Sequence, residues 1–435
     1  MNLTRRGFLG TSLASLAMSP LYGQEKVAPR VDGSTPSPAS SPSAEIAPFQ
    51  PNTLFLTWQR DPTTTMTVQW VGAIGETADM RISYSAIKDT KWQTQPSTSK
   101  PYPLTDLKVF RSELTGLSPG TDYLFRIGKL SPTYRFRTMP AKATNPIHFI
   151  SGGDCGVNSH TVANNIQAAR QDPMFAVIGG DLAYENGKSV EINLAFLRNY
   201  SKYMVARDGR LIPLIAGIGN HEVDGGYKKP RAKAPFFYAL FDGLYPDTGY
   251  ATLDFGDYLS LVLLDTGHTS PIGGEQADWL EHTLKERVDR PNVFVVNHVP
   301  AYPSFRRALG VAGKEGTGEA NRKHWVPLFE KYRVPVVLEH HDHTFKRTKP
   351  LIDGFSDKNG VLYLGDGSWG RLRTPYQPEQ LGYLAASSRD YHLSPHRIQG
   401  DERFHLALDE NGRVMDVCKS GQRTTGMVQV PSETF

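Results

Sequence analysis

Cysteine is nearly absent from this 435-residue chain: Cys155 and Cys418 are its only two. That excludes a disulfide-framework scaffold and a four-thiolate zinc site. It leaves open one long-range disulfide in an oxidising compartment, or two free thiols. Excess charge of either sign is also lacking. Lys and Arg number 48 against 44 Asp and Glu, a net of +4. Nothing in that balance marks a nucleic-acid footprint or an anionic-membrane surface. Past the N-terminus, no run approaches the roughly eighteen apolar residues of a membrane span. No integral span is therefore expected in the mature chain.

What is present points to a globular, multi-domain protein. Hydrophobic residues make up 39% and charged residues 21%, enough apolar material for a packed core and against wholesale disorder. The N-terminus carries Thr4-Arg5-Arg6-Gly7-Phe8-Leu9-Gly10, followed by a moderately apolar stretch to Leu21. This matches a twin-arginine export signal, expected over residues 1–23. The expected partner is the twin-arginine translocation machinery, and the expected location periplasmic or secreted. Residues 24–50 are rich in Pro, Ser and Ala and read as an extended linker.

From 51 to 140 the pattern is all-β, with alternating segments such as Met66-Thr67-Val68-Gln69-Trp70 separated by turn residues. The run Leu114 to Tyr123 resembles the fibronectin type III signature, in which a buried tyrosine ties a turn to the next strand. A β-sandwich that positions rather than reacts is expected there. From 141 to 425 strands alternate with helical segments. Helices are expected at Thr161–Gln171, Gln276–Val288 and Trp325–Tyr332. This alternation argues an α/β layered domain with helices covering the sheets.

Five apolar strands in that domain each end in residues able to ligate metal. Ile147–Ser151 leads to Asp154, and Phe175–Ile178 to Asp181 with Tyr184 three residues on. Leu211–Ile218 leads to Asn220-His221, Val293–Val296 to His298, and Val334–Leu338 to His341-Asp342-His343. Sites in open α/β sheets form beyond the carboxyl ends of strands. Carboxylates, imidazoles, an amide oxygen and a phenolate together suit first-row metal ions. Glycines before Asp154, Asp181 and Asn220 are expected to turn the backbone sharply. His341 and His343, two apart, are expected to share a face of an extended segment.

These blocks, Gly153-Asp154-Cys155-Gly156, Gly180-Asp181-Leu182-Ala183-Tyr184, Gly219-Asn220-His221-Glu222, Val295-Val296-Asn297-His298 and His340-His341-Asp342-His343, resemble the purple acid phosphatases among the calcineurin-like metallophosphoesterases. The resemblance implies a fibronectin type III-like sandwich followed by an αββα metallophosphoesterase domain. It implies a dinuclear centre, Fe(III) plus a divalent Fe, Zn or Mn. Asp154, Asp181, Tyr184 and His343 would hold the first ion; Asp181, Asn220, His298 and His341 the second. Its implied reaction is phosphomonoester hydrolysis, by attack of a metal-held hydroxide on phosphorus. His221 would then protonate the leaving group, with Glu222 fixing its imidazole, and Asn220 and His221 would hold the phosphoryl oxygens. Two departures stand out. His340 occupies a position usually held by glycine, and reads as a packed or outer imidazole. Tyr302-Pro303-Ser304-Phe305-Arg306-Arg307 replaces further histidines, so Arg306 and Arg307 become candidates for clamping phosphate.

Two other readings compete: a phosphodiesterase or phospholipase-type hydrolase on the same ions, and a non-catalytic surface-binding protein. The second would be marked by degraded ligand positions, and none is degraded.

Overall fold

A computed structural model describes residues 49–311 and 313–421. The export signal expected over 1–23 and nearly all of the linker lie outside these residues. The N-terminal part is a sandwich of two four-stranded antiparallel sheets. One runs Phe55–Thr57, Met66–Gly72, Lys108–Leu114, Thr98–Pro101; the other Gln93–Gln95, Ile82–Ala86, Asp122–Ile127, Tyr134–Arg137. The tyrosine expected to tie a turn does so: the Ser118 N–H donates to Tyr123 Oη at 2.8 Å.

Met66–Gly72 alternates polar and apolar residues, yet all seven are buried. The second domain covers the face that would otherwise meet water. Gln69 Nε2 and Arg111 Nη2 both donate to Leu240 O, at 2.9 and 3.0 Å. Arg111 also pairs with Asp242 at 2.7 Å. The Trp58 indole packs edge-on against Phe175 and Phe255, about 6 Å between centroids. Aromatic contacts of this kind add roughly 0.5–1.5 kcal/mol beyond area burial.

The second domain is built on two sheets. Its first is six-stranded, in the order Leu214–Ala216, Ala176–Ile178, Ile147–Gly152, His392–Gln399, Glu402–Asp409, Val414–Ser420. The first three strands are parallel and the last three antiparallel. The other sheet is seven-stranded, with a parallel centre of Leu259–Leu264, Val293–Asn297, Val336–Glu339 and Leu362–Asp366. The sheets meet where Phe149 contacts Phe294 at 5.2 Å and His396 packs against both rings. The helix Ser159–Arg170 begins at Asn158, whose side chain caps the Thr161 N–H. It packs on the helix Val190–Tyr203 beside the first sheet. Glu275–Glu286 packs with Val326–Lys331 on the other side. The architecture is the expected sandwich followed by an α/β layered domain.

Several local expectations need correction. The strand expected over Leu211–Ile218 narrows to Leu214–Ala216, because the Ile212 N–H turns back to Met204 O. The helix expected over Trp325–Tyr332 is two short helices, Glu319–His324 and Val326–Lys331, with Trp325 between them and Pro327 in the first turn of the second. Cys155 and Cys418 are not joined in a disulfide. No helix among the described residues is long and apolar enough to cross a membrane.

Candidate metal centre

The parallel strands of both sheets deliver their C-terminal ends to one place. Beyond them lie two overlapping clusters with ligand atoms within 4.8 Å of one another: Asp154, Asp181 and His343, and Asp181, His298 and His341. Asp181 belongs to both. It is fully buried, and its Oδ2 has no hydrogen-bond partner. Such an orphaned carboxylate oxygen costs free energy unless something positive faces it. Burial alone would raise its pKa, but His298, His221 and His341 hold it well below the carboxylate range.

Hydrogen bonds from behind aim the imidazoles. His298 Nδ1 faces Gly179 O at 3.0 Å, which leaves Nε2 directed at Asp181 Oδ1, 3.4 Å away. Tyr227 Oη lies 3.2 Å from His341 Nε2, leaving Nδ1 towards the centre. A partner on the rear nitrogen fixes the tautomer a metal needs. Asn220 Oδ1 lies 3.3 Å from His298 Nε2, so the amide oxygen belongs to the second cluster. Tyr184 Oη lies 3.1 Å from Asp154 Oδ1 and 3.0 Å from His343 Nε2, inside the first cluster. All seven sequence-picked ligand candidates thus converge. The donor set is oxygen and nitrogen without sulfur, and it fits a pair of hard-to-borderline cations.

The backbone here departs from the expected one. Asp154, Asp181, Tyr184, His341 and His343 themselves adopt left-handed conformations, with φ between 54° and 71°. Each costs on the order of 1–3 kcal/mol. The strand ends at Glu339, so His341 and His343 do not share an extended face; they enter different clusters. Of the preceding glycines, Gly180 makes the expected sharp turn with φ 100°, while Gly153, Gly179 and Gly219 supply room. A Cβ on Gly153 would come 2.5 Å from the His340 ring, and one on Gly179 would overlap it. His340 is therefore a buried wedge between two strand ends, bonded through Nδ1 to Asn297 O at 3.0 Å.

Glu222 does not orient His221. Its carboxylate accepts three backbone N–H groups, from Asp181, Leu182 and Gly219, at 2.7–2.8 Å. It ties the second and third ligand loops together. Burial and the neighbouring Asp181 charge push its pKa up to about 8. The partner of His221 is Asn186, whose Oδ1 lies 2.5 Å from Nδ1. Burial lowers the pKa of His221, with Asp181 opposing.

Neither loop arginine lines the cleft beside the first cluster. Arg306 Nη1 is taken up by His341 O at 2.5 Å and Asp342 Oδ1 at 2.8 Å, so the residue braces the histidine loop. Arg307 is exposed and does not line the cleft. The cationic side of the cleft beside the first cluster is instead Arg371 and Arg373, with Tyr184, Asn186, His221, His343 and Tyr391. The Arg371 guanidinium lies 4.1 Å over the Tyr184 ring. These residues follow the strand Leu362–Asp366, so the strand-end rule that found the ligands could have found them too.

A pair of sheets with carboxylates and imidazoles at their shared strand ends defines a metallophosphoesterase domain. Comparison with known proteins agrees. Residues 51–138 match the family model for the purple acid phosphatase N-terminal domain, and 147–345 that for calcineurin-like phosphoesterase. The chain is 27% identical over 290 residues to purple acid phosphatase 21 of Arabidopsis thaliana, a stretch covering 62% of each protein and so less than two thirds of that relative. It is 22% identical over 348 residues to mouse acid phosphatase type 7, covering 71% of this chain and 76% of that one. A purple acid phosphatase from yellow lupin seeds shares the fold at a TM-score of 0.68 and 15% identity, over 86% of this chain and 74% of that one. PhoD does so at 0.58 and 12%, over 89% and 94%. By these matches the chain resembles the purple acid phosphatases, with their N-terminal domain over residues 51–138 and a calcineurin-like phosphoesterase domain over 147–345.

Proposed function

We propose that this protein is an exported phosphatase that hydrolyses phosphomonoesters at a dinuclear metal centre. The observation that carries the proposal is Asp181, a buried carboxylate shared by two ligand clusters with one oxygen that accepts no hydrogen bond. Asp154, Asp181, Tyr184 and His343 would hold one ion, and Asp181, Asn220, His298 and His341 the other. Two cations held there supply Lewis acidity towards water and offset phosphoryl charge. The protein's own part is placement. Arg371 and Arg373 offer forked donors for the non-reacting phosphoryl oxygens. His221, fixed by Asn186, stands at the cleft wall to give a proton to the departing alkoxide. The phenolate of Tyr184 favours Fe(III) in the first position, with Fe, Zn or Mn in the second. Export rests on the Arg5-Arg6 signal, and would deliver the folded protein to the periplasm or beyond.

The test is metal quantification and a visible spectrum of protein exported by its native route, with 4-nitrophenyl phosphate hydrolysis before and after chelation. Two bound ions, chelator-sensitive turnover and a visible band lost in Tyr184→Phe are expected. Protein without metal or turnover would sink the proposal. A colourless active enzyme would remove only the iron assignment.

A further inference from the structure

The cleft beside the first cluster opens directly on the centre. Tyr184 and His343, two of that cluster's own side chains, line it together with His221. A monoester whose phosphoryl group is held there therefore has its leaving group in this cleft, beside the histidine that gives it a proton. The volume is about 650 Å³, room for a substituent well beyond the phosphoryl group itself. Leu372 adds apolar surface to the wall, and Tyr391 adds an aromatic ring.

The backbone around Tyr391 is tied down on both sides. The residue stands just before the strand His392–Gln399. Its carbonyl accepts the Glu410 N–H at 3.2 Å, and the His392 N–H after it donates to Ser368 O at 3.1 Å. The Ser368 hydroxyl in turn donates to Asp390 O at 2.8 Å. The ring is braced as well. The His160 imidazole stacks on it nearly parallel, with centroids 3.8 Å apart and planes 12° from each other. His160 Nδ1 lies 2.7 Å from Glu410 Oε2, so the residue that holds the Tyr391 carbonyl also holds the imidazole. His160 sits in the first turn of the helix Ser159–Arg170 and is not part of the cleft wall. Its imidazole backs one face of the tyrosine ring and leaves the other to the cleft. An aromatic face fixed before substrate arrives loses little freedom on binding. Cleavage of the ester bond makes no use of that face; a planar leaving group does.

We infer that Tyr391 selects monoesters whose leaving group carries an aromatic ring, by stacking on that ring, and that His160 and Glu410 are positioning residues that hold Tyr391 for it. The inference rests on the phosphomonoesterase reading and deepens it by naming a substrate class.

The probes are benzyl phosphate and cyclohexylmethyl phosphate. They share a carbon skeleton and leave as primary alkoxides of similar basicity, so the chemical step treats them alike and only one offers a planar ring. The metal-loaded protein is expected to have a kcat/KM about threefold to tenfold higher on benzyl phosphate, the size of one aromatic contact. The difference should lie in KM, because a stacked ring is held alike before and during bond cleavage. Tyr391→Leu should abolish the preference and Tyr391→Phe should keep it. His160→Ala should lower it partway, and His160→Phe, which restores a stacked ring, should bring it back. A purely structural role for Tyr391 would move Tm without moving the ratio between the two esters. Equal kcat/KM on both esters in the unaltered protein, or an undiminished preference in Tyr391→Leu, would overturn the inference while leaving the phosphomonoesterase reading intact. Absence of turnover on either ester would overturn that reading, and this inference with it.

Discussion

The imidazole of His221 is held by Asn186, 2.5 Å from Nδ1 to Oδ1, and not by the carboxylate that follows it in the chain. An amide oxygen can accept from Nδ1–H but brings no charge. Asn186→Ala removes that acceptor and frees the ring to rotate. A fall of roughly tenfold to a hundredfold in kcat is expected, as for other groups that orient a working imidazole. The acceptor favours the protonated ring, so its loss lowers the His221 pKa and moves the alkaline limb of the kcat profile to lower pH. Asn186→Asp, which adds a negative charge, moves it the other way. A pH profile unchanged in both variants would separate His221 from the chemistry.

Glu222 serves stability and the metal loops instead. In Glu222→Ala, the N–H groups of Asp181, Leu182 and Gly219 lose their shared acceptor. Each buried orphan costs about 1–3 kcal/mol. A lowered Tm and reduced metal content are expected, measured by thermal unfolding and elemental analysis. Glu222→Gln keeps one acceptor oxygen and should fall between. Full stability and metal content in Glu222→Ala would show that water replaces the carboxylate at no cost.

The ligands were legible because they obey a one-dimensional rule. Asp154, Asp181, Asn220, His298 and the His341–His343 cluster each follow an apolar strand, and parallel strands place their ends together. The roles around them depended on side-chain direction, which spacing does not carry. Glu222 adjoins His221 in sequence but turns to the loop holding Asp181. The pair His341 and His343 seemed to share a face until the left-handed backbone separated them. Arg306 and Arg307 drew attention as a basic pair on a loop, while Arg371 and Arg373 passed unremarked after a strand with no ligand at its end. Two of the C-terminal antiparallel strands, His392–Gln399 and Glu402–Asp409, were missed for another reason. His392, His396, Arg403 and His405 are buried polar residues in the sheet and break its apolar pattern. In the sandwich, the burial of Gln69 could not be read from its own segment, because its cover comes from Leu240, remote in sequence.

His340 and the paired glycines form a coupled unit, which a double-mutant cycle can measure. In Gly179→Ala the new methyl overlaps the imidazole of His340, and overpacking of this kind costs about 1–3 kcal/mol or more. His340→Gly alone opens a cavity and is expected to destabilise too. The combination should be more stable than the sum of the two losses, by an interaction of at least about 1 kcal/mol in chemical denaturation. Strict additivity would mean that the ring moves aside without strain.

Metal binding should expel a proton from His298. Burial disfavours its charge, but the carboxylates of Asp181 and Asp154 outweigh burial and push its pKa up to about 9. Without a cation the imidazolium balances Asp181; a bound cation takes that place and requires the neutral ring. Zinc titration near pH 7.5 in weak buffer should therefore release at least one proton. Apparent affinity should rise about tenfold per pH unit and flatten above about pH 9. Release unchanged in His298→Ala would assign the proton to another group.

The C-terminal strands carry a pH dependence independent of the metals. His405 is buried, with Nδ1 2.9 Å from His396 Nδ1 and Nε2 3.0 Å from Ser420 Oγ. Burial, reinforced by His396 and Arg403, drives its pKa well below the usual imidazole value. The folded protein keeps the ring neutral, while the unfolded chain protonates near pH 6.5. Below that pH the unfolded state binds more protons, so folding stability falls as pH drops. This site alone gives a slope of up to about 1.4 kcal/mol per pH unit until the folded-state pKa is reached. His405→Gln removes the titration while retaining hydrogen-bonding capacity. It should lower Tm at pH 8, through imperfect packing against Phe294, yet flatten the decline between pH 6.5 and 5. If the variant and the unaltered protein lose stability in parallel over that range, His405 is not the group that sets the acid limb.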